Sequence, residues 1–144
     1  MATRGIMPKK NFQYLQHFKV TCWARKWIIV SGGNISANIA QAKVYAFDCL
    51  TSSWIQKPLY QMNVARFNHS TTCREDLVFV ACGTSEKYKR LSSIEFLDMK
   101  PVRTGSRVPW QLIDDDSFVP RIEPVICCID SDKLAILGGT DSIE

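Results

Sequence analysis

Residue types able to hold a metal or to attack a substrate are present in this chain, but their spacing does not assemble a reactive group. The six cysteines, Cys22, Cys49, Cys73, Cys82, Cys127 and Cys128, contain no C-x-x-C pair, and the two histidines, His17 and His69, are not at zinc-finger spacing. Copper would want a cluster of His and Tyr ligands, which two histidines in different contexts do not supply. A Gly-rich phosphate loop, a nucleophile elbow and an HExxH motif are also missing from the sequence. The expectation is a chain with no catalytic residue, no metal and no cofactor. Its cysteines read as the reduced thiols of a cytoplasmic protein.

What remains is the chemistry of recognition. Arg66 lies within Met62-Asn63-Val64-Ala65-Arg66-Phe67-Asn68, Arg121 within Val119-Pro120-Arg121, and a basic, aromatic run spans Lys87-Tyr88-Lys89-Arg90. Guanidinium forks suit bidentate pairing with carboxylates. The candidate partner-contacting residues are therefore Arg66, Arg121, Asn63, Asn68, Lys87, Tyr88 and Arg90. A second reading stands beside this one, in which both arginines form salt bridges inside the chain and the lysine-rich run is a solvated loop. Asp114, Asp115 and Asp116 are expected to approach the same cations.

The net charge of +4 is spread along the 144 residues, far below the clustered density of a dedicated nucleic-acid binder. No window reaches the roughly 18 uninterrupted apolar residues of a membrane span. Lys9 and Lys10 stand where a signal peptide would be apolar. Neither nucleic acid nor membrane is expected as a partner.

The elements that must carry these residues are organised by a repeat. Three apolar runs end in glycine: Trp27-Ile28-Ile29-Val30-Ser31-Gly32-Gly33, Leu77-Val78-Phe79-Val80-Ala81-Cys82-Gly83 and Leu134-Ala135-Ile136-Leu137-Gly138-Gly139. The final glycines are 50 and 56 residues apart. Asp48 and Asp98 close two further runs, Val44-Tyr45-Ala46-Phe47-Asp48 and Ile94-Glu95-Phe96-Leu97-Asp98, and again differ by 50. Trp54 and Arg66 follow the first, Trp110 and Arg121 the second. The six extra residues fall within 100–109, a polar stretch punctuated by Pro and Gly that reads as a surface-loop insertion.

A period near fifty with a double glycine after an apolar strand, an aromatic before an Asp and a later Trp resembles the kelch repeat. The resemblance covers about residues 17–144. It divides the chain into an N-terminal segment 1–16, one repeat over 17–66, a second over 67–121 with the insertion at 100–109, and the first half of a third over 122–144. Met7-Pro8-Lys9-Lys10-Asn11-Phe12 weakly resembles 62–67, as the end of an earlier repeat would. Cys82 in place of the first glycine and Leu97 in place of an aromatic depart from the family pattern.

The runs are short, rich in Val, Ile and Leu, and bounded by turn residues, which predicts strands at 20–24, 27–31, 43–48, 53–56, 70–73, 77–81, 93–98, 110–113, 125–129 and 133–137. The fold class expected is all-β, and the resemblance implies a kelch-type β-propeller fragment of about two and a half four-stranded antiparallel blades. Gly32, Gly33, Gly83, Gly138, Gly139, Asp48, Asp98, Trp54 and Trp110 are expected to be structural markers, both tryptophans filling the space between sheets. Cys22, Cys73 and Cys128 share one repeat position and are expected as small buried residues.

In kelch proteins that act as substrate adaptors, arginines at the positions of Arg66 and Arg121 line the mouth of a central channel and grip acidic peptides. The resemblance thus implies a non-enzymatic module that binds a protein or peptide, one with acidic character, through its inter-blade loops. Some kelch propellers are copper oxidases or sugar mutarotases, but the parts for either are lacking here. A further expectation follows from stacking: two and a half sheets leave apolar outer faces wet, so the chain is either a truncated propeller without independent function or one that self-associates.

Overall fold

The structure, a computed structural model, describes residues 14–36, 39–55, 59–113, 115 and 117–141. Ten strands are present among them: β1 (Lys19–Trp23), β2 (Trp27–Ser31), β3 (Val44–Asp48), β4 (Ser53–Trp54), β5 (Ser70–Arg74), β6 (Leu77–Ala81), β7 (Ile94–Asp98), β8 (Gln111–Ile113), β9 (Val125–Cys128) and β10 (Leu134–Leu137). Each expected strand is found, with no end displaced by more than two residues. The chain is all-β, with three antiparallel sheets in the orders β1-β2-β3-β4, β5-β6-β7-β8 and β9-β10. The segment 7–12, likened to 62–67, lies outside the described residues.

Register decides what each sheet buries. Trp27, Ile29 and Ser31 pair with Trp23, Thr21 and Lys19 on one side and with Asp48, Ala46 and Val44 on the other, so these residues share a face. That face meets Val78, Val80, Leu97 and Trp110 of the second sheet across one apolar cluster. The opposite face of the second sheet, with Phe79, Ala81 and Ile94, packs on Ile126 and Ile136 of the third. The sheets also touch along their first strands, β1 against β5 and β5 against β9. Ser70 Oγ accepts the Ile126 N–H at 3.0 Å, pinning the third sheet to the second.

The connections repeat as faithfully as the strands. His17, Asn68 and Glu123 all take positive φ, at 53°, 51° and 52°. Asn68 N–H donates to the His17 carbonyl, and Glu123 N–H donates to the Asn68 carbonyl. A ladder thus runs from one sheet entry to the next. The position that ends the second strand also has positive φ in each sheet, 60° at Gly32, 60° at Cys82 and 63° at Gly138. Cys82 shows that the second sheet tolerates a side chain at this site, at the cost of a left-handed backbone, whereas a Cβ on Gly32 would overlap the Arg66 carbonyl oxygen and the His69 ring. The glycine after Cys82 has no such freedom. A Cβ on Gly83 would lie 2.6 Å from the Phe67 carbonyl oxygen, and those on Gly33 and Gly139 would meet the carbonyls of Gln16 and Ile122 as closely.

Three expectations are corrected. The 100–109 insertion is not merely a surface loop: it begins as a short helix, α1 (Met99–Arg103), with Asp98 Oδ1 accepting the Lys100 N–H at 2.9 Å. Met99 is fully buried, and Val102 and Val108 pack on the core. Trp54 does not lie between sheets, whereas Trp110 does. Trp54 sits half-buried on the outer face of the first sheet, edge-on to Phe47 at 5.4 Å between ring centres. Cys22 is exposed because it lies on that same outer face, and Cys73 and Cys128 are half-buried. Burial, then the neighbouring Cys128 and Cys22, pushes the Cys73 thiol up to about 11.

The close approach of Gly83 yields a prediction. Gly83→Ala must combine left-handed strain with overlap against a backbone oxygen and should cost about 3 kcal/mol. Gly105 also has positive φ but nothing within contact of a Cβ, so Gly105→Ala should cost only about 1 kcal/mol. Urea denaturation of the two variants measures the difference, and equal losses would contradict the packing described.

Candidate binding face

The loops after β2 and β6 and the connections that leave β4 and β8 meet at one end of the sheets. Gly33 N–H donates to the Arg66 carbonyl and Gly83 N–H to the Arg121 carbonyl, at 2.9 and 2.8 Å. Thr84 forms bridges with both Phe67 and Arg90. The backbone of each inter-sheet connection is therefore sewn to the loop beside it, and the side chains that project are held on a fixed base.

At the centre of that base is an ion pair with neither partner in contact with solvent. Arg66 and Glu95 are both 0% exposed, and Arg66 Nη2 lies 2.8 Å from Glu95 Oε1. Glu95 also accepts the Asn63 N–H at 2.6 Å, the Asn63 Nδ2 at 3.0 Å and the Val64 N–H at 2.9 Å. Arg66 Nη1 donates to the carbonyls of Cys82 and Ser93, and Nη2 reaches Ser93 Oγ. Burial lowers the Arg66 guanidinium from its usual value, while Glu95 pulls the other way and keeps the charged form favoured. A buried carboxylate with four donors and a buried guanidinium with four acceptors satisfy each other's desolvation.

Next to this pair sits His69, also fully buried. Its Nε2 shares a hydrogen bond of 2.9 Å with Ser31 Oγ of the first sheet, and Nδ1 has no partner among the described residues. Burial, followed by the charges of Arg66 and Lys19, holds its pKa well below the ordinary histidine value. His69 is therefore neutral at physiological pH. The sequence offered little to find it, since a lone histidine has no periodicity. Glu95 did leave a signal: a carboxylate inside Ile94-Glu95-Phe96-Leu97 is rarely buried unless paired.

The seven candidate contact residues separate into two groups. Arg66 is corrected outright, since its guanidinium is spent inside the fold and reaches no partner. Asn63 is fixed from its side-chain amide to Glu95 and to the Trp110 carbonyl, at 2.9 Å for the latter. Asn68 serves the ladder between connections with its backbone. Arg121 repeats part of the Arg66 arrangement, its Nη1 donating to the Gly138 carbonyl at 2.7 Å, and is half-buried. Lys87, Tyr88 and Arg90 remain at the surface. Tyr88 leans edge-on against Phe67 at 6.4 Å, and Lys87 and Tyr88 both take positive φ, in a short 3-10 turn over Glu86–Tyr88.

Lys89 and Arg90 line a cavity of about 250 Å³ together with Ser85, Ser92 and Val64. Among the described residues no carboxylate pairs with Lys87, Lys89 or Arg90. Asp115 instead turns onto its own loop, where its Oδ1 accepts the Ser117 N–H at 2.8 Å. Asp114 and Asp116, also expected near the cations, lie outside the described residues. No group of described His, Cys, Asp and Glu side chains has the arrangement of a metal site, and no described helix is long and apolar enough to cross a membrane. Compared with family models and with curated proteins, the chain matches none.

Two outcomes are expected of the buried network. Arg66→Met and Glu95→Leu should each cost about 3 to 5 kcal/mol by stranding the other charge, and the double variant should cost far less than their sum. Denaturant unfolding of the four proteins of this cycle would refute the clasp if the losses simply added. For His69 the folded pKa lies below the unfolded one. Its contribution is whole above about pH 6.5 and falls as the pH drops, by about 1.4 kcal/mol per unit. Between pH 7 and pH 5 the wild type should lose more stability than His69→Gln.

Proposed function

We propose that the three sheets are successive blades of a kelch-type β-propeller, and that the chain is a non-enzymatic, cytoplasmic module that binds an acidic segment of a partner protein. The landmarks that resemble the kelch repeat support the first part, together with sheets that face one another and touch along their first strands. The observation that carries the second is the loop over 84–93. It presents Lys87, Lys89 and Arg90 against the single carboxylate of Glu86, around a small cavity with serine hydroxyls at its wall. Cations on a base held by a buried ion-pair network are preorganised for carboxylates. In this reading Arg66 and Arg121 shape the face from beneath, and Lys87, Tyr88, Lys89 and Arg90 make the contacts.

A second reading, self-association, is favoured by the two outer faces. Val20 and Ile28 of the first sheet are 50% and 37% exposed, and Val125 and Leu137 of the third are 60% and 58% exposed. By the repeat, the first of these faces corresponds to the side of the second sheet that covers the first sheet. The other corresponds to the side of the second sheet that covers the third. The two end faces are thus matched to each other, and a second copy stacked end to end would continue the interface already formed within the chain.

The binding reading is tested by isothermal titration with a glutamate-rich twelve-residue peptide. The double variant Lys87→Glu, Arg90→Glu should weaken binding about tenfold or more, and raising salt should weaken the wild type. Unchanged affinity would remove the proposed face. For the second reading, sedimentation should show association that grows with concentration, and a monomer at all concentrations would count against it.

A further inference from the structure

A second surface lies apart from the loop face, along the flank where the first sheet's β3 and β4 meet the insertion of the second sheet. Two cavities open there, of about 510 and 470 Å³. Both are lined by Leu59, Tyr60 and Arg107. Arg107 lies over the Tyr60 ring at 4.3 Å from its centre, so a stacked guanidinium forms the divide between two recesses. Trp27, Leu97 and Val102 line the larger recess, and Val44 and Tyr45 the smaller. Each volume falls in the range of ligand sites.

The charges at this flank have one free sign. The insertion 100–109 contributes Lys100, Arg103 and Arg107 and no carboxylate. Asp48 reaches the larger recess, but its oxygens already accept the Trp27 indole N–H and the N–H groups of Leu50 and Thr51, with Lys26 at 3.7 Å. No described carboxylate pairs with Arg103 or Arg107. An occupant must therefore bring apolar groups for the recesses and negative charge for the divide. A chain with alternating side chains supplies both at once.

We propose that this flank binds a linear peptide segment in which a glutamate or aspartate has large apolar residues on both sides. The carboxylate meets the Arg107 fork, and the apolar side chains enter the recesses that flank it. Arg103 adds a second cation at the mouth of the larger recess.

Titration calorimetry with the capped peptide Gly-Phe-Leu-Glu-Leu-Phe-Gly tests this, with controls carrying Lys for Glu or Ala for the four apolar residues. Saturable binding is expected, and each control should bind about tenfold more weakly or worse. Arg107→Glu should match the loss seen with the Lys peptide, and Arg107→Lys should lose part of the affinity because the fork and the stack go while the charge stays. Arg103→Glu, which leaves the Arg107–Tyr60 stack in place, should also weaken binding. Melting curves of the exposed-residue variants should overlay that of the wild type. The Lys87→Glu, Arg90→Glu protein should bind this peptide normally, which separates the flank from the loop face. Equal binding of the Lys peptide, indifference to Arg107→Glu or absence of saturable binding would overturn the assignment.

Discussion

A carboxylate without access to water must be surrounded by donors, and the demands of Glu95 organise the junction between the first two sheets. Its four donors come from residues 63–66, the connection that carries the chain from one sheet to the next. Satisfying β7 thus fixes the path of the linker, and the linker fixes how the first sheet faces the second. Arg66 extends the same logic to two carbonyls, one at the left-handed end of β6 and one at the approach to β7. At the junction between the second and third sheets Arg121 donates to the Gly138 carbonyl. Ile126, Ile136 and the Ser70 hydroxyl hold the same junction from the side of the third sheet's strands.

Committing an arginine to the interior changes where recognition has to come from. A fully enclosed guanidinium whose Nη1 and Nη2 already donate to four protein acceptors is out of reach of a ligand. What it provides is rigidity: the loop that carries Lys87 to Arg90 is tied to the linker through Thr84 and Phe67, one step from the ion pair. His69 belongs to this frame as well. Neutral and fully enclosed, it joins β2 to the linker through Ser31, so that frame is sensitive to acid in a way an all-apolar junction would not be.

Much of this was legible in the sequence because strands, turns and close backbone contacts impose local rules. Short apolar runs bounded by turn residues located the strands, and the recurrence of Gly33, Gly83 and Gly139 marked a contact with a carbonyl that no side chain can share. Asp48 and Asp98 recur for a local reason too, since each caps the backbone that follows its strand. The fate of Arg66 was not legible. Its partner is 29 residues away, and nothing in the spacing distinguishes an arginine pointing into a channel from one pointing into a strand. Trp54 and Cys22 were misplaced for a related reason: a repeat gives each residue its face, but whether another sheet covers that face depends on the stack.

The insertion shows the limit of composition as a guide most clearly. Residues 100–109 read as solvent-facing because Lys, Arg, Ser, Gly and Pro dominate them, yet one buried methionine just before and two valines within are enough to bind the segment to the core. The apolar minority sets the path, and the polar majority is left to face outward along it. That division is what puts Arg103 and Arg107 beside an apolar groove without burying either. The first sheet, with only five residues between Asp48 and Trp54, has no equivalent segment, so the repeat supplies a common frame while this insertion gives the flank its own chemistry.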